Sequence, residues 1–470
     1  MLFPTMIFGL FFLVVYATAW SLNAENQRRK QFLLLASWVF YAWWDWRFVG
    51  LLIASALLNW FVAGQIGRTD EARRRRWLVV LGVAINLTIL GFFKYYGFFV
   101  EQLGDLLKLV GWQRDLPLIH VILPIGISFF TFQGMSYVID VHRGRVAPAR
   151  SLLDVMLLMS FFPHLVAGPI VRASDLLPQF ATAPRLNRQM AMHGLLLIAW
   201  GLFKKTVIAS ELASNLVDPV FFDPTAYGAV DLVGAAYGYA VQIYCDFSAY
   251  SDIAIGVAAL LGYRFPRNFD QPYRASSLQE FWRRWHISLS SWLRDYLYVP
   301  LGGNRGGLAR TCVNLMITFL LGGIWHGAAW TFIAWGALHG VVLSIERIWW
   351  SAIRKPNWPR LSSTLGVIIT FNIVTLSWIL FRSDSFATAL AFLQGLGRWG
   401  EPGTLVTPFI VMLILGGLAM HALPSRAIER AASVLQRLPS PAAGVAIGLA
   451  LLLVEAIRPA GVAPFIYFQF

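Results

Sequence analysis

Stretches of roughly 17 to 25 apolar residues recur along nearly the whole of this 470-residue chain, and each is enough to cross a hydrocarbon core of about 30 Å as a helix. Backbone N–H and C=O groups in lipid have no water to bond, so such segments must close their hydrogen bonds internally. With 57% hydrophobic and only 13% charged residues, no soluble domain is left over. The pattern predicts a single integral-membrane unit over 1–470, all-α and polytopic, with about 10 to 12 transmembrane helices plus re-entrant or broken ones. The first run, Met1 to Trp20, lacks a basic leading segment and a small-residue cleavage motif, and reads as a retained helix.

The formal net charge of +14 raises the question of a nucleic-acid partner. In a membrane protein, however, the placement of Lys and Arg matters more than their sum. Here they cluster in loops, at Arg28 to Lys30, Arg68 to Arg76, Arg143 to Arg150, Arg172 to Arg188, Arg264 to Arg310, Arg347 to Arg360 and Arg426 to Arg437. Assigning these loops to the cytoplasmic face makes the spans alternate without contradiction, puts both termini on the outer face and leaves nucleic acid without a role. Two stretches must then enter and leave on the same side. Leu152 to Val171 is interrupted by Pro163, Gly168 and Pro169, and Leu315 to Ile345 is expected to form a hairpin or a pair of broken helices centred near Gly327.

Two cysteines, Cys245 and Cys312, lie in apolar surroundings far apart and offer no disulfide framework or CxxC spacing. Without HExxH or a Cys/His cluster, no metal site is expected. No GxGxxG or Walker-type loop accompanies the arginines, so nucleotide hydrolysis is unsupported.

Ionisable groups inside apolar spans are costly and usually functional, which singles out His326. The alternative is a histidine that packs helices together. His286 lies in EFWRRWHISLSSWLRDYLY, where Trp282, Trp285, Leu289, Trp292 and Tyr296 recur at helical spacing. That spacing predicts an amphipathic helix at a basic, aromatic interface. Asp246, Ser248, Tyr250, Ser251 and Asp252 form a polar patch in an apolar span, so they must face a cavity or a partner helix. Asn268 and Asp270 are placed to cap helix ends. His164 and His339 read as packing residues.

Several segments carry a resemblance: LPIGISFFTFQGMSYVIDV (Leu123 to Val141), FFPHLVAGPIVR (Phe161 to Arg172), QIYCDFSAYSDIAIG (Gln242 to Gly256), the long run from Arg264 to Arg305, LLGGIWHGAAWTFIAWG (Leu320 to Gly336) and FIYFQF (Phe465 to Phe470). In this order they resemble the membrane-bound O-acyltransferase (MBOAT) family, in the bacterial branch typified by alginate O-acetyltransferases. The resemblance implies a ring of helices around a central funnel, with N-terminal helices over 1–118, a catalytic core over 119–346, and C-terminal helices with an aromatic tail over 347–470. It also implies an inner-membrane enzyme that transfers acetyl from a cytosolic thioester, acetyl-CoA, to an exported polysaccharide through a periplasmic acetyltransferase or relay protein. D-alanyl transfer to teichoic acid from a carrier protein is the alternative within the family, and a transporter or channel the alternative outside it. The family's invariant histidine maps to His326, and its second active-site histidine to His286.

Moving an acetyl group from a thioester to a hydroxyl needs a base, a polarised carbonyl and exclusion of water. Desolvation penalises imidazolium, so a histidine at membrane depth is available as a neutral base. Gly322, Gly323 and Gly327 are expected to clear space for substrate beside His326. Candidate substrate contacts are Arg283 and Arg284 for phosphates of the donor, with Trp282, Asp246, Ser248, Asn268 and Tyr467, the last contacting or carrying acyl groups. No bound cofactor is expected beyond acetyl-CoA as donor; lipids and the polysaccharide are the remaining partners.

Overall fold

The computed structural model describes residues 1–112, 119, 121–352, 359–424, 426–459, 461 and 463–466. Among them the regular structure is helical, without strands. The chain divides into two compact units, one of residues 1–191 with 257–266, the other of residues 192–256 with 267–470.

The first unit contains α1 (Met6–Ser21), α2 (Asn26–Asp45), α3 (Arg47–Gly67), α4 (Ala72–Leu109), α5 (Ile127–His142), α6 (Leu152–Ser160), α7 (Phe162–Leu165) and α8 (Ala173–Phe180). The Thr5 and Ser151 hydroxyls accept the backbone N–H of Phe8 and Asp154 and so start α1 and α6. As expected from Pro163, the Leu152 to Val171 stretch breaks: α6 ends at Ser160, Phe161 leaves the helical conformation, and Pro163 sits in the first turn of α7, where its missing N–H costs no helical bond. Between α3 and α4, Asn59 and Asn86 exchange side-chain hydrogen bonds at 3.0 and 3.3 Å, a polar tie suited to an apolar medium. Part of the first basic cluster is buried. The Arg29 guanidinium bonds Ala19 O, Tyr263 Oη and Leu261 O, and Lys30 pairs with Asp154 at 2.7 Å.

The second unit starts within α9 (Arg188–Leu202) and takes in a π-helical stretch (Phe203–Ala209), α10 (Ser210–Leu212), a second π stretch (Ala213–Val217), α11 (Asp218–Phe222) and most of α12 (Ala229–Leu260). The second unit continues with α13 (Leu278–Arg284), α14 (Ile287–Leu293), α15 (Gly307–His326), α16 (Trp330–Ala352), α17 (Pro359–Arg382), α18 (Phe386–Gly395), α19 (Pro408–Ala419), α20 (Ala427–Leu435) and α21 (Ser440–Ile457). The most apolar window of α12 is 89% buried. Glycines let other helices reach it: a Cβ on Gly201 would fall 2.6 Å from Ile253 and one on Gly417 2.2 Å from Val241.

The expected hairpin near Gly327 is present. α15 and α16 pack antiparallel, Gly323 against Phe332 and Gly336, and Gly340 against Met316. Six helices among the described residues are long and apolar enough to cross a membrane: α3, α4, α12, α15, Ser363–Arg382 of α17, and α21. The all-helical, polytopic class expected from the sequence is thus present. The remaining apolar sequence is folded into shorter elements such as α1 and α18 or into buried ones such as α5, whose surroundings are protein and not lipid.

Candidate active site

His326 is the last residue of α15, 5% exposed. Its ring is held edge-on by Trp325, Trp335 and Phe381, with centroids 5.0, 5.0 and 5.1 Å away. Helix α15 ends there because Gly327 is extended (φ −161°, ψ 158°). A Cβ at Gly327 would fall 2.1 Å from the Phe332 ring, and one at Gly323 2.3 Å from Phe332 O. The space expected for substrate at these two glycines is therefore occupied by α16. Their smallness closes the hairpin, and only Gly322 has no contact tighter than 3.5 Å.

His286 departs from its expected setting in two ways. First, Leu278 to Tyr298 is not one amphipathic helix: α13 stops at Arg284, His286 adopts a left-handed conformation (φ 41°, ψ 57°), and α14 restarts at Ile287. Second, no surface is present, since His286 is 0% exposed and the aromatic anchors Trp285 and Trp292 are buried. The helical spacing of the anchors persists locally, but they pack into protein. A left-handed non-glycine residue costs roughly 1–2 kcal/mol, so something must hold it.

Asn268 does. Its Oδ1 lies 3.1 Å from the backbone N of Ser288, 2.9 Å from Ser288 Oγ and 3.2 Å from His286 Nδ1. A backbone N–H can only donate, so this atom is the amide oxygen, and Nδ2 donates to Ser251 Oγ at 3.0 Å. Asn268 thus caps α14 from outside the helix, the role foreseen for it. Two further backbone bonds, Ile287 N to Asn268 O and Asp270 N to Arg284 O, brace the same break. Because Oδ1 is an acceptor, His286 Nδ1 carries the proton and the lone pair lies on Nε2. Burial pulls this imidazole down to about 3, so it is neutral at pH 7. Asn268→Ala is expected to remove cap and anchor together and lower stability by about 1–2 kcal/mol; an unchanged melting temperature in detergent would contradict this role.

The two histidines are linked by aromatics. Trp325 touches both, its centroid 5.0 Å from His326 and 6.4 Å from His286. On its other side His286 meets Phe247 edge-on at 4.5 Å. His339 and Trp335 pack at 4.7 Å beneath His326.

The polar patch on α12 contains a feature that the sequence reading passed over. Lys204 and Lys205 are 1% exposed each. Lys205 pairs with Asp246 at 2.8 Å, and Lys204 meets Asp252 at 2.8 Å and Ser248 Oγ at 2.6 Å. In a regular α-helix, neighbouring residues are 100° apart and do not share a face. Both lysines fall in the π-helical stretch, whose wider turn carries them onto α12. Two adjacent lysines inside an apolar span were the available signal.

The same pair holds the C-terminal tail. Ile466 N donates to Asp246 Oδ2 at 3.0 Å, Lys205 Nζ donates to Pro464 O at 3.2 Å, and Ala463 N donates to Ser210 Oγ at 3.2 Å. The Phe465 ring lies 4.1 Å from Tyr250 and 5.8 Å from Phe247. Asp246 and Ser248 are thereby engaged within the fold, and Tyr467 lies outside the described residues. Trp282 is buried and donates its indole N–H to His339 Nδ1 at 3.3 Å. Arg284 is bound by Glu280 at 2.8 Å and Arg267 by Asp270 at 3.0 Å, while Arg283 is exposed.

Residues 2–383 match the model of the MBOAT, membrane-bound O-acyltransferase, family. A probable alginate O-acetylase of Pseudomonas aeruginosa is 41% identical over 435 residues, 88% of this chain and 81% of the relative. A peptidoglycan O-acetyltransferase of Helicobacter pylori is 39% identical over 84% of this chain and 77% of its own. A teichoic acid D-alanyltransferase of Streptococcus thermophilus is 30% identical over 55% of this chain and 68% of its own. An all-helical membrane protein that buries two histidines around one tryptophan, and aligns along most of its length with O-acyltransferases, is an O-acyltransferase itself: the chain belongs to the membrane-bound O-acyltransferase family.

Proposed function

We propose that this protein takes acetyl from a cytosolic thioester, acetyl-CoA, and delivers it across the bacterial inner membrane for O-acetylation of an exported, alginate-like polysaccharide, through a periplasmic partner. The observation that carries the reading is the joint burial of His286 and His326 against Trp325, a water-poor setting in which a thioester is spared hydrolysis. The relatives named for alginate and peptidoglycan acetylation cover more of the chain than the D-alanyltransferase does, which favours acetyl over D-alanyl transfer. The basic loops favour both termini on the periplasmic side.

In this mechanism His326 accepts the proton of the acceptor hydroxyl. The oxygen attacks the thioester carbonyl carbon, the C–S bond breaks, and the thiolate leaves and takes up that proton. The Trp335 indole N–H, which has no acceptor among the described residues, is the donor offered to the carbonyl oxygen. His286, with its lone pair on Nε2, orients the hydroxyl. Exposed Arg283 is available to the donor's phosphates.

Inside-out membrane vesicles that carry the full-length protein and enclose the host's periplasmic contents, given acetyl-CoA labelled in the acetyl group, test this. Label is expected in alkali-labile esters on host polysaccharide, with release of free thiol. Uptake of label without ester formation would favour a transporter, and labelling only from carrier-bound D-alanine would favour the teichoic acid reaction.

A further inference from the structure

Three buried histidines, His164, His339 and His421, lie outside that chemistry, and His339 is the one packed on Trp335. His339 on α16 is 0% exposed and bridges three helices. From α13, Trp282 Nε1 lies 3.3 Å from its Nδ1; from α17, Ser377 Oγ lies 3.0 Å from its Nε2. The indole nitrogen can only donate, so Nδ1 accepts. Ser377 spends its own proton on Val374 O at 2.7 Å, so its oxygen accepts from Nε2–H. Both bonds demand the same neutral tautomer, with both ring nitrogens occupied. A histidine so used is not a base.

Its position gives it another task. His339 lies one helical turn after Trp335 and packs on it at 4.7 Å, and Trp335 in turn packs edge-on against His326 at 5.0 Å. Trp282 supports the same indole from α13 at 5.8 Å, and Trp378, the neighbour of Ser377, stacks on it at 5.9 Å. Trp335 therefore rests on the residues that the imidazole ties together.

We propose that His339, fixed by Trp282 and Ser377, is a positioning residue that sets Trp335 against His326 for acyl transfer. The inference rests on the reading of His326 as the base. Misplacement of reacting groups by as little as about 1 Å can cost on the order of 10²-fold, whereas binding of a donor held elsewhere is untouched. The expected signature is a fall in kcat with KM for acetyl-CoA unchanged.

The test compares His339→Leu, His339→Gln, Ser377→Ala and His326→Ala in the full-length protein. Ester content of host polysaccharide is measured at matched membrane levels, and thiol release is followed against acetyl-CoA concentration in the same inside-out vesicles. His339→Leu is expected to lower kcat at least tenfold with KM within twofold. His339→Gln, whose amide N–H reaches the place of Nε2–H, is expected to recover at least a third of wild-type kcat. Ser377→Ala, which alters little volume, is expected to lose threefold or more. If Leu and Gln variants are equally impaired, or KM rises at constant kcat, the inference is overturned. Loss of esters in His326→Ala together with full activity in His339→Leu overturns this inference alone; normal esters in His326→Ala overturn the base assignment and this inference with it.

Discussion

Replacing His326 with alanine is expected to lower polysaccharide acetylation by at least about 10²-fold, since a positioned general base contributes typically about 10²–10⁴. The residue closes α15 inside a wall of Trp325, Trp335 and Phe381, so alanine also leaves a hollow. His326→Gln retains most of the volume without a base and separates the two effects. Both variants are expected to reach the membrane and to elute as monodisperse protein, and both to leave the polysaccharide unacetylated. Wild-type ester content in either one would sink the mechanism.

The second large effect concerns stability. Lys205→Met is expected to destabilise the protein by about 3–5 kcal/mol, the typical result of removing one partner from a buried ion pair. Asp246 would be left 2% exposed without its cation, and Pro464 O would lose its donor. The double variant Lys205→Met, Asp246→Leu is expected to recover most of that loss, because two well-packed apolar groups carry no desolvation penalty. Thermal unfolding in detergent measures both terms. Tail docking provides a separate readout: in Lys205→Met and in the double variant alike, the segment after Ile457 is expected to become sensitive to limited proteolysis, since Asp246 and Lys205 both bond it. A single variant as stable as wild type would show that the pair is not a structural tie.

Two of the breaks in the chain were readable from local sequence. Pro163 announced the break between α6 and α7, and Gly327 the α15–α16 turn. The motif around WHG singles out His326, and the place of Asn268 ahead of a helix marks it as a cap without naming its partner. Other features were not readable, for reasons that share one cause. No glycine or proline marks the break at His286; the chain turns there because Asn268, 18 residues earlier, captures Ser288 and His286. Nor did helical periodicity warn that Trp285 and Trp292 face protein, since an interfacial face and a buried one show the same spacing. Gly323 and Gly327 looked like room for a substrate because glycine has the same signature wherever backbone comes close, whether a ligand or a neighbouring helix approaches.

Hydropathy and periodicity alone decide that this chain is helical and membrane-embedded, because lipid permits few other ways to satisfy a backbone. Which polar groups meet inside it is decided by packing. The pairing of Lys205 with Asp246, the tautomer of His286 and the bridge through His339 each depend on residues 18 to 57 positions apart being brought within hydrogen-bond reach. A desolvated polar group is tolerated only where a partner of fitting geometry waits. Such partners are properties of the folded arrangement and not of any local stretch of sequence.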